Sequence, residues 1–230
     1  MIISTYRPYF APFSGFFEKM VYCDVMVILD SIQFPFGRSW LTRNRFKNDK
    51  GIYWIRVPVW KKGKGVQKIN EVKICYEREW TEKTITGLYM AYKNSPYFLE
   101  HIDFWEYILN QNIEKLAELN LNIIKYVIDY LNIHVNIVLL SNLGINQKEP
   151  NLSIQICKKL GADHFIIQKS AKKYLNIDLF EKEGIEILFF NPNTLVYPQL
   201  WGDFIPNLSI FDLIFNCGPK SIDIIKQNVK

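Results

Sequence analysis

Histidine is scarce in this chain, three residues in 230, and cysteine is confined to Cys23, Cys75, Cys157 and Cys217. No CxxC pair links those cysteines, so reduced structural thiols are expected rather than disulfides, and a bound metal is not expected. No window approaches the 18 or so uncharged apolar residues of a membrane span. The N-terminus lacks the charged region, apolar run and cleavage site of a signal peptide, so a cytoplasmic protein is expected. Nor is there a GxGxxG turn, a Walker loop, an HExxH helix or a GxSxG elbow, the signatures of common dehydrogenases, kinases, metalloproteases and esterases. Any site must therefore be composite, assembled from several parts of the fold.

What is present is a full apolar complement, 49% of residues, with aromatics at 15% and a net charge of +5. That balance buries a core and suits an anionic partner without choosing among phosphate-bearing small molecules, membrane surfaces and RNA. The run Ile2-Ile-Ser-Thr5 predicts a first strand, residues 13–22 a short helix and residues 25–29 a second strand. Such a βαβ unit is parallel by handedness. Residues 53–59 predict a third strand, residues 69–75 a return strand, and residues 77–131 a helical insertion broken at Asn94-Ser-Pro-Tyr97. A second α/β half follows. It has strands at 134–140, 163–168 and 185–190, helices at 151–160 and 179–183, and a C-terminal helix over 206–216 capped by Asn207. The sum is an α/β protein, a Rossmann-like three-layer arrangement around a mostly parallel sheet, in a single domain over residues 1–230.

One stretch stands out: Asp30-Ser-Ile-Gln-Phe-Pro-Phe-Gly-Arg-Ser-Trp-Leu-Thr-Arg-Asn-Arg45. It follows the second strand and so emerges at the carboxyl edge of the sheet, where ligands of α/β folds sit. Arg38, Arg43 and Arg45 suit phosphate or carboxylate through paired N–H donors. Gln33 and Asn44 offer both donor and acceptor, and Trp40 with Tyr9 could form a stacking wall. Asp30 is the expected orienting or proton-accepting carboxylate, with His164 in reserve. Asn207 and Ser209 lie where a helix N-terminus can hold an anion. The lysines at 61, 62, 64 and 68 flank two glycines in a loop that reads as a solvated hairpin tip or a flap over phosphate.

Three blocks carry a family likeness. They are Tyr6-Arg-Pro-Tyr-Phe-Ala-Pro-Phe-Ser-Gly-Phe-Phe17, then Asp30 with Gln33-Phe34, Arg38-Ser-Trp40 and Arg43-Asn-Arg45, then Asn207-Leu-Ser-Ile-Phe-Asp-Leu-Ile-Phe-Asn-Cys-Gly218. Together they resemble the WbqC-like proteins. The resemblance implies a place in the biosynthesis of O-antigen and other surface polysaccharides, such as lipopolysaccharide. It also implies transfer of an acyl or aminoacyl group, for example glycyl, to an amino sugar. Arg7 stands where that family usually has Gln, and Ser31 where it commonly has a second acid, departures that imply an altered substrate or an altered metal requirement.

The expected activity is thus transfer of an acyl or aminoacyl group to the amine of a nucleotide-linked amino sugar. The cofactor is left open among ATP with Mg²⁺, an acyl-CoA and an aminoacyl-tRNA donor. No stable nucleic-acid partner is expected, and a homo-oligomer is compatible with the sequence. The alternatives are a non-catalytic module that binds a nucleotide sugar or docks to a glycosyltransferase, and an ATP-dependent amide ligase.

Overall fold

The β-branched and aliphatic runs become strands, and their period-2 pattern decides what packs on each side. A computed structural model describes residues 1–77 and 79–227. Strand β1 (Ile2–Tyr6) leads through helix α1 (Ser14–Val21) to β2 (Val25–Ile28). The hairpin β3 (Arg43–Asn48) and β4 (Gly51–Arg56) follows, then helices α2 (Trp80–Tyr92), α3 (Leu99–Asn110) and α4 (Leu116–Tyr130). The chain then makes β5 (Asn136–Leu139), α5 (Leu140–Leu143), α6 (Asn151–Leu160), β6 (His164–Gln168), α7 (Ile177–Lys182), β7 (Glu186–Phe190), α8 (Ile210–Cys217) and α9 (Ser221–Lys226).

Five strands form one parallel sheet in the order β5-β2-β1-β6-β7, so the α/β, Rossmann-like expectation holds. Ile3, Val25, Val27, Phe165 and Ile167 face one side and pack on α5, α6 and α7. Met26, Ile28 and Ile166 face the other side, where α1, α8, α9, the hairpin and the three long helices share a larger core. Burying one such side chain contributes about 1.5–3 kcal/mol, so the two faces together fix the layers. Gly161 ends α6 in the left-handed region at φ 69°, as its place after the last apolar residue implies. No helix among the described residues is long and apolar enough to cross a membrane.

Three expectations need correction. The stretch Arg43–Asn48 is a strand paired antiparallel with Gly51–Arg56, not loop; its buried Asn44, Phe46 and Lys47 anchor it to the core. The return strand over 69–75 is instead a short 3₁₀ turn at Ile69–Glu71, followed by single bridges from Ile74 to Val59 and from Lys73 to Lys115. The C-terminal helix begins at Ile210 and is capped by Ser209, whose hydroxyl accepts from the Phe211 N–H. Asn207 lies before it with φ 55° and is not the cap. The hairpin and helices α2, α3 and α4 all lie in the connection between the neighbouring strands β2 and β5.

Candidate functional site

The loop after β1 is held by groups far away in sequence. The Phe10 N–H donates to the Trp40 carbonyl at 2.9 Å, and the Ile210 N–H donates to Pro12 at 2.8 Å. The Ser209 N–H donates to the Arg45 carbonyl at 2.8 Å. Asn44 is buried, and its Nδ2 donates to the Phe10 and Ala11 carbonyls at 3.1 and 2.7 Å. Ala11 has φ 41°, a left-handed conformation that costs an alanine about 1–2 kcal/mol and that the Asn44 contact helps to hold. Buried Asn120 reaches from α4 to the Pro8 and Leu41 carbonyls, both at 2.8 Å. Parts of all three blocks of the family likeness, Phe10 to Pro12, Trp40 to Arg45 and Ser209-Ile210, are therefore stitched into one unit.

That unit encloses a cavity of about 310 Å³ lined by Tyr9, Pro12, Phe13, Trp40, Asn44, Arg45, Pro192 and Asn207. Its walls are mostly rings and prolines, with two amides and one guanidinium as polar points, a mixture suited to a sugar ring or base. The Arg45 Nη2 donates to the Asn207 carbonyl at 2.7 Å, while its Nε is buried without a partner among the described residues. Gly15 lets Phe13 and Pro192 close in, since a Cβ there would lie 2.5 and 2.6 Å from them. Arg45 sits over Trp40 at 5.7 Å, Trp40 stacks on Trp54 at 5.7 Å, and Arg43 covers Trp54 at 4.3 Å. This alternating stack holds the arginines and indoles in fixed orientation.

A second recess of about 240 Å³ opens beside it, at the carboxyl ends of β1 and β6. The chain leaves β1 for β2 on one side and β6 lies on the other, so this is the point where strand order reverses, the usual ligand crevice of an open parallel sheet. Arg7, Tyr9, Lys19, Glu149, Ser153 and Gln168 are among its lining residues. Tyr9 belongs to both spaces, which are therefore adjacent.

Lys19 is 3% exposed, and among the described residues its Nζ donates only to the Thr5 carbonyl, at 3.0 Å, while lying 3.5 Å from the centre of the Tyr6 ring. Among the described residues no carboxylate pairs with it, and burial pulls its pKa down to about 7. The amine is thus available in its neutral form near pH 7. Glu149 is exposed as a residue, yet desolvation of its carboxyl pushes its pKa up, against the Ser153 hydroxyl and N–H that it accepts at 2.7 and 3.3 Å. Lys19 is thus poised for proton exchange near neutrality, and the Glu149 carboxyl holds its proton to higher pH than an ordinary carboxylate.

The structure distributes the expected residues unevenly. Tyr9, Trp40, Asn44, Arg45 and Asn207 share the first cavity, and Arg7 lies in the crevice. Arg38 and Arg43 line a separate cleft, and Gln33 is exposed where its backbone bridges to Lys68. Ser209 is buried as a helix cap. Asp30 is also buried; it accepts from the Ser141 N–H at 2.9 Å, the Ser141 hydroxyl at 2.6 Å and the Asn70 amide at 3.3 Å. A carboxylate so occupied ties β2 to α5, and it lines none of the three spaces. His164 opens β6, at the amino edge, 2.8 Å from Asp163 and 3.3 Å from Glu186. It stands at the opposite edge of the sheet from the crevice and cannot serve as its base. Lys19 and Glu149 were not foreseen; the one signal was a Glu-Lys pair inside the otherwise apolar Gly15-Phe-Phe-Glu-Lys-Met-Val21.

Among the described residues no group of three or more His, Cys, Asp or Glu could hold a metal ion. A family model described as the WbqC-like protein family matches residues 7–224. The chain is 29% identical over 219 residues to an uncharacterized protein, Rv1507c, of Mycobacterium tuberculosis (strain ATCC 25618 / H37Rv); the match covers 94% of each chain. No solved structure matches.

Proposed function

The chain belongs to the WbqC-like protein family, and on that premise we propose that it transfers an acyl or aminoacyl group to the amine of a nucleotide-linked amino sugar. The reading places it in the cytoplasm, on the route to O-antigen, lipopolysaccharide or another surface polysaccharide. One observation supports it above the rest: an aromatic, sugar-sized cavity adjoins a crevice holding a near-neutral amine, with Tyr9 at the boundary. In this reading the sugar lies against Tyr9 and Trp40, oriented by Arg45 and Asn207, and the acyl donor enters the crevice. The acceptor nitrogen attacks the carbonyl carbon. A C–N bond forms, the bond to the leaving group breaks, and that group departs with the bonding electron pair. Lys19 Nζ takes the proton from the attacking nitrogen, and Arg7 faces the oxygen on which negative charge develops. Glu149 is the second group able to carry a proton.

The reading is tested by incubating the protein with a nucleotide-linked amino sugar and, in turn, an acyl-CoA, glycine with ATP and Mg²⁺, and an aminoacyl-tRNA. Mass spectrometry of the sugar nucleotide should show a mass gain with one donor, lost in Arg45→Ala. Binding of the sugar nucleotide without a mass gain from any donor would instead establish a non-catalytic binding module, the reading favoured by the removal of Asp30 and His164 from the site.

A further inference from the structure

The hairpin carries a conflict that the cavity and the crevice do not explain. Its register sets Arg43 directly opposite Arg56. Like charges at directly opposed positions of an antiparallel pair are destabilising. Arg38 and Lys61 join them around a cleft of about 410 Å³ whose remaining walls include Val57, Pro58, Val59 and Trp80. No acidic residue lines this cleft, and among the described residues none of the four cations is in an ion pair.

Two of the four groups are also positioned. Arg43 is fixed by the face of Trp54, 4.3 Å away. Lys61 Nζ donates to the Gly37 carbonyl at 2.9 Å and lies 4.7 Å from the Phe34 ring centre, which draws its loop against the one bearing Arg38. Desolvation lowers the pKa of both Arg43 and Lys61, with Arg38 and Arg56 adding repulsion at Arg43. A concave, partly apolar space with converging, unneutralised cations is what an anionic ligand would relieve.

We propose that the cleft formed by Arg38, Arg43, Arg56 and Lys61 binds a diphosphate-class anion. One orthophosphate offers too few oxygens and too little charge to engage three guanidinium forks and an ammonium together, whereas two linked phosphoryl groups match them. Concavity and the apolar wall favour a small ligand over a nucleic-acid backbone, which tracks open basic surfaces. The cleft shares no lining residue with the cavity or the crevice, so the inference stands whether or not the transferase reading does.

The test is calorimetric titration of the full chain, at fixed ionic strength, with orthophosphate, inorganic pyrophosphate, a nucleoside diphosphate and a single-stranded oligonucleotide. Pyrophosphate should bind at least about tenfold tighter than orthophosphate, and both Arg43→Gln and Arg56→Gln should weaken it by about tenfold or more. Without ligand, Arg56→Gln should melt about 1–2 °C higher, because it relieves the opposed charges. A nucleoside diphosphate binding more tightly than pyrophosphate would identify the diphosphate as part of a nucleotide; equal binding would identify the free anion. Pyrophosphate no tighter than orthophosphate, unchanged binding in both variants, or a lower melting temperature in Arg56→Gln would each overturn the proposal. So would tight oligonucleotide binding that pyrophosphate fails to displace.

Discussion

Two buried polar groups differ in how many partners they have. Asp212, on α8, is fully buried and accepts from the Tyr92 hydroxyl at 2.8 Å and the Tyr197 hydroxyl at 2.9 Å. Tyr92 in turn accepts from the Lys47 N–H at 2.8 Å, and the Lys47 ammonium donates to Gln199 and to the Asp203 carbonyl at 3.1 and 2.7 Å. The network ties the hairpin to α2, α8 and the segment after β7. Lys19 is nearly as buried, yet has one acceptor for three N–H donors. A saturated network rigidifies, whereas an under-partnered ion raises the energy of its own charged form. Partner count separates the saturated fastening from the under-partnered amine, a difference that burial alone does not show.

Removing the under-partnered amine should give the larger effect if the transferase reading holds. With Lys19→Met, turnover should fall by about 10²–10⁴-fold if its amine is the base, with the KM for the sugar nucleotide little changed. Stability should move the other way. The folded pKa of about 7 lies below the ordinary lysine value of 10.5, so between those pH values the unfolded chain holds a proton that the folded chain lacks. The charge-burial penalty is therefore complete below pH 7 and fades as pH rises towards 10.5. Tyr6 and Cys23 face the amine, and burial raises the pKa of both, so neither supplies a counter-charge at neutral pH. Lys19→Met should thus melt higher than the parent at pH 6, with the advantage shrinking by pH 9. A variant that melts lower at pH 6 would mean the amine is a structural donor.

The fastening should fail differently. Asp212→Ala strips two buried tyrosine hydroxyls of their acceptor and removes the carboxylate whose charge favours the Lys47 ammonium. We expect a loss of about 3 kcal/mol, on the order of 10 °C in Tm. Turnover per folded molecule should be nearly unchanged at a temperature where the variant stays native. Lost turnover without lost stability would erase the distinction between the two groups.

The sequence was informative where chemistry is local. Residues 1–28 gave their strand, helix and parallel strand from β-branched runs, and Gly161 marked its helix end. The hairpin was missed because Arg43-Asn-Arg-Phe-Lys-Asn48 has no β-branched residue, although Asn48-Asp-Lys-Gly51 carried the turn signal: Gly51 has φ 98°, and the Lys50 N–H donates to Asn48 Oδ1. Asp30 was misjudged for a different reason. Its partner Ser141 is 111 residues away, and nothing near a carboxylate in the chain announces a distant donor that will saturate it. The same holds for Lys19, whose lack of partners is a property of three layers at once. Periodicity reports which face is buried, not which buried ion goes unsatisfied.

His164 supplies the smallest expected effect and the sharpest check on that contrast. It lies at the amino edge with Asp163, Glu186 and the N-terminal ammonium, whose nitrogen is 2.6 Å from Asp163. These groups are mostly exposed, and the hydrogen bonds from the ammonium and the imidazole hold the Asp163 carboxyl below the usual carboxylate range. Exposed pairs of this kind contribute little, so His164→Gln should change stability by less than about 0.5 kcal/mol. Its turnover should match the parent at every pH, because the parallel sheet puts the crevice at the other ends of the same strands. A loss of tenfold or more in a variant that melts normally would move the reaction to the amino edge, and Lys19 would then be a buried amine without a catalytic task.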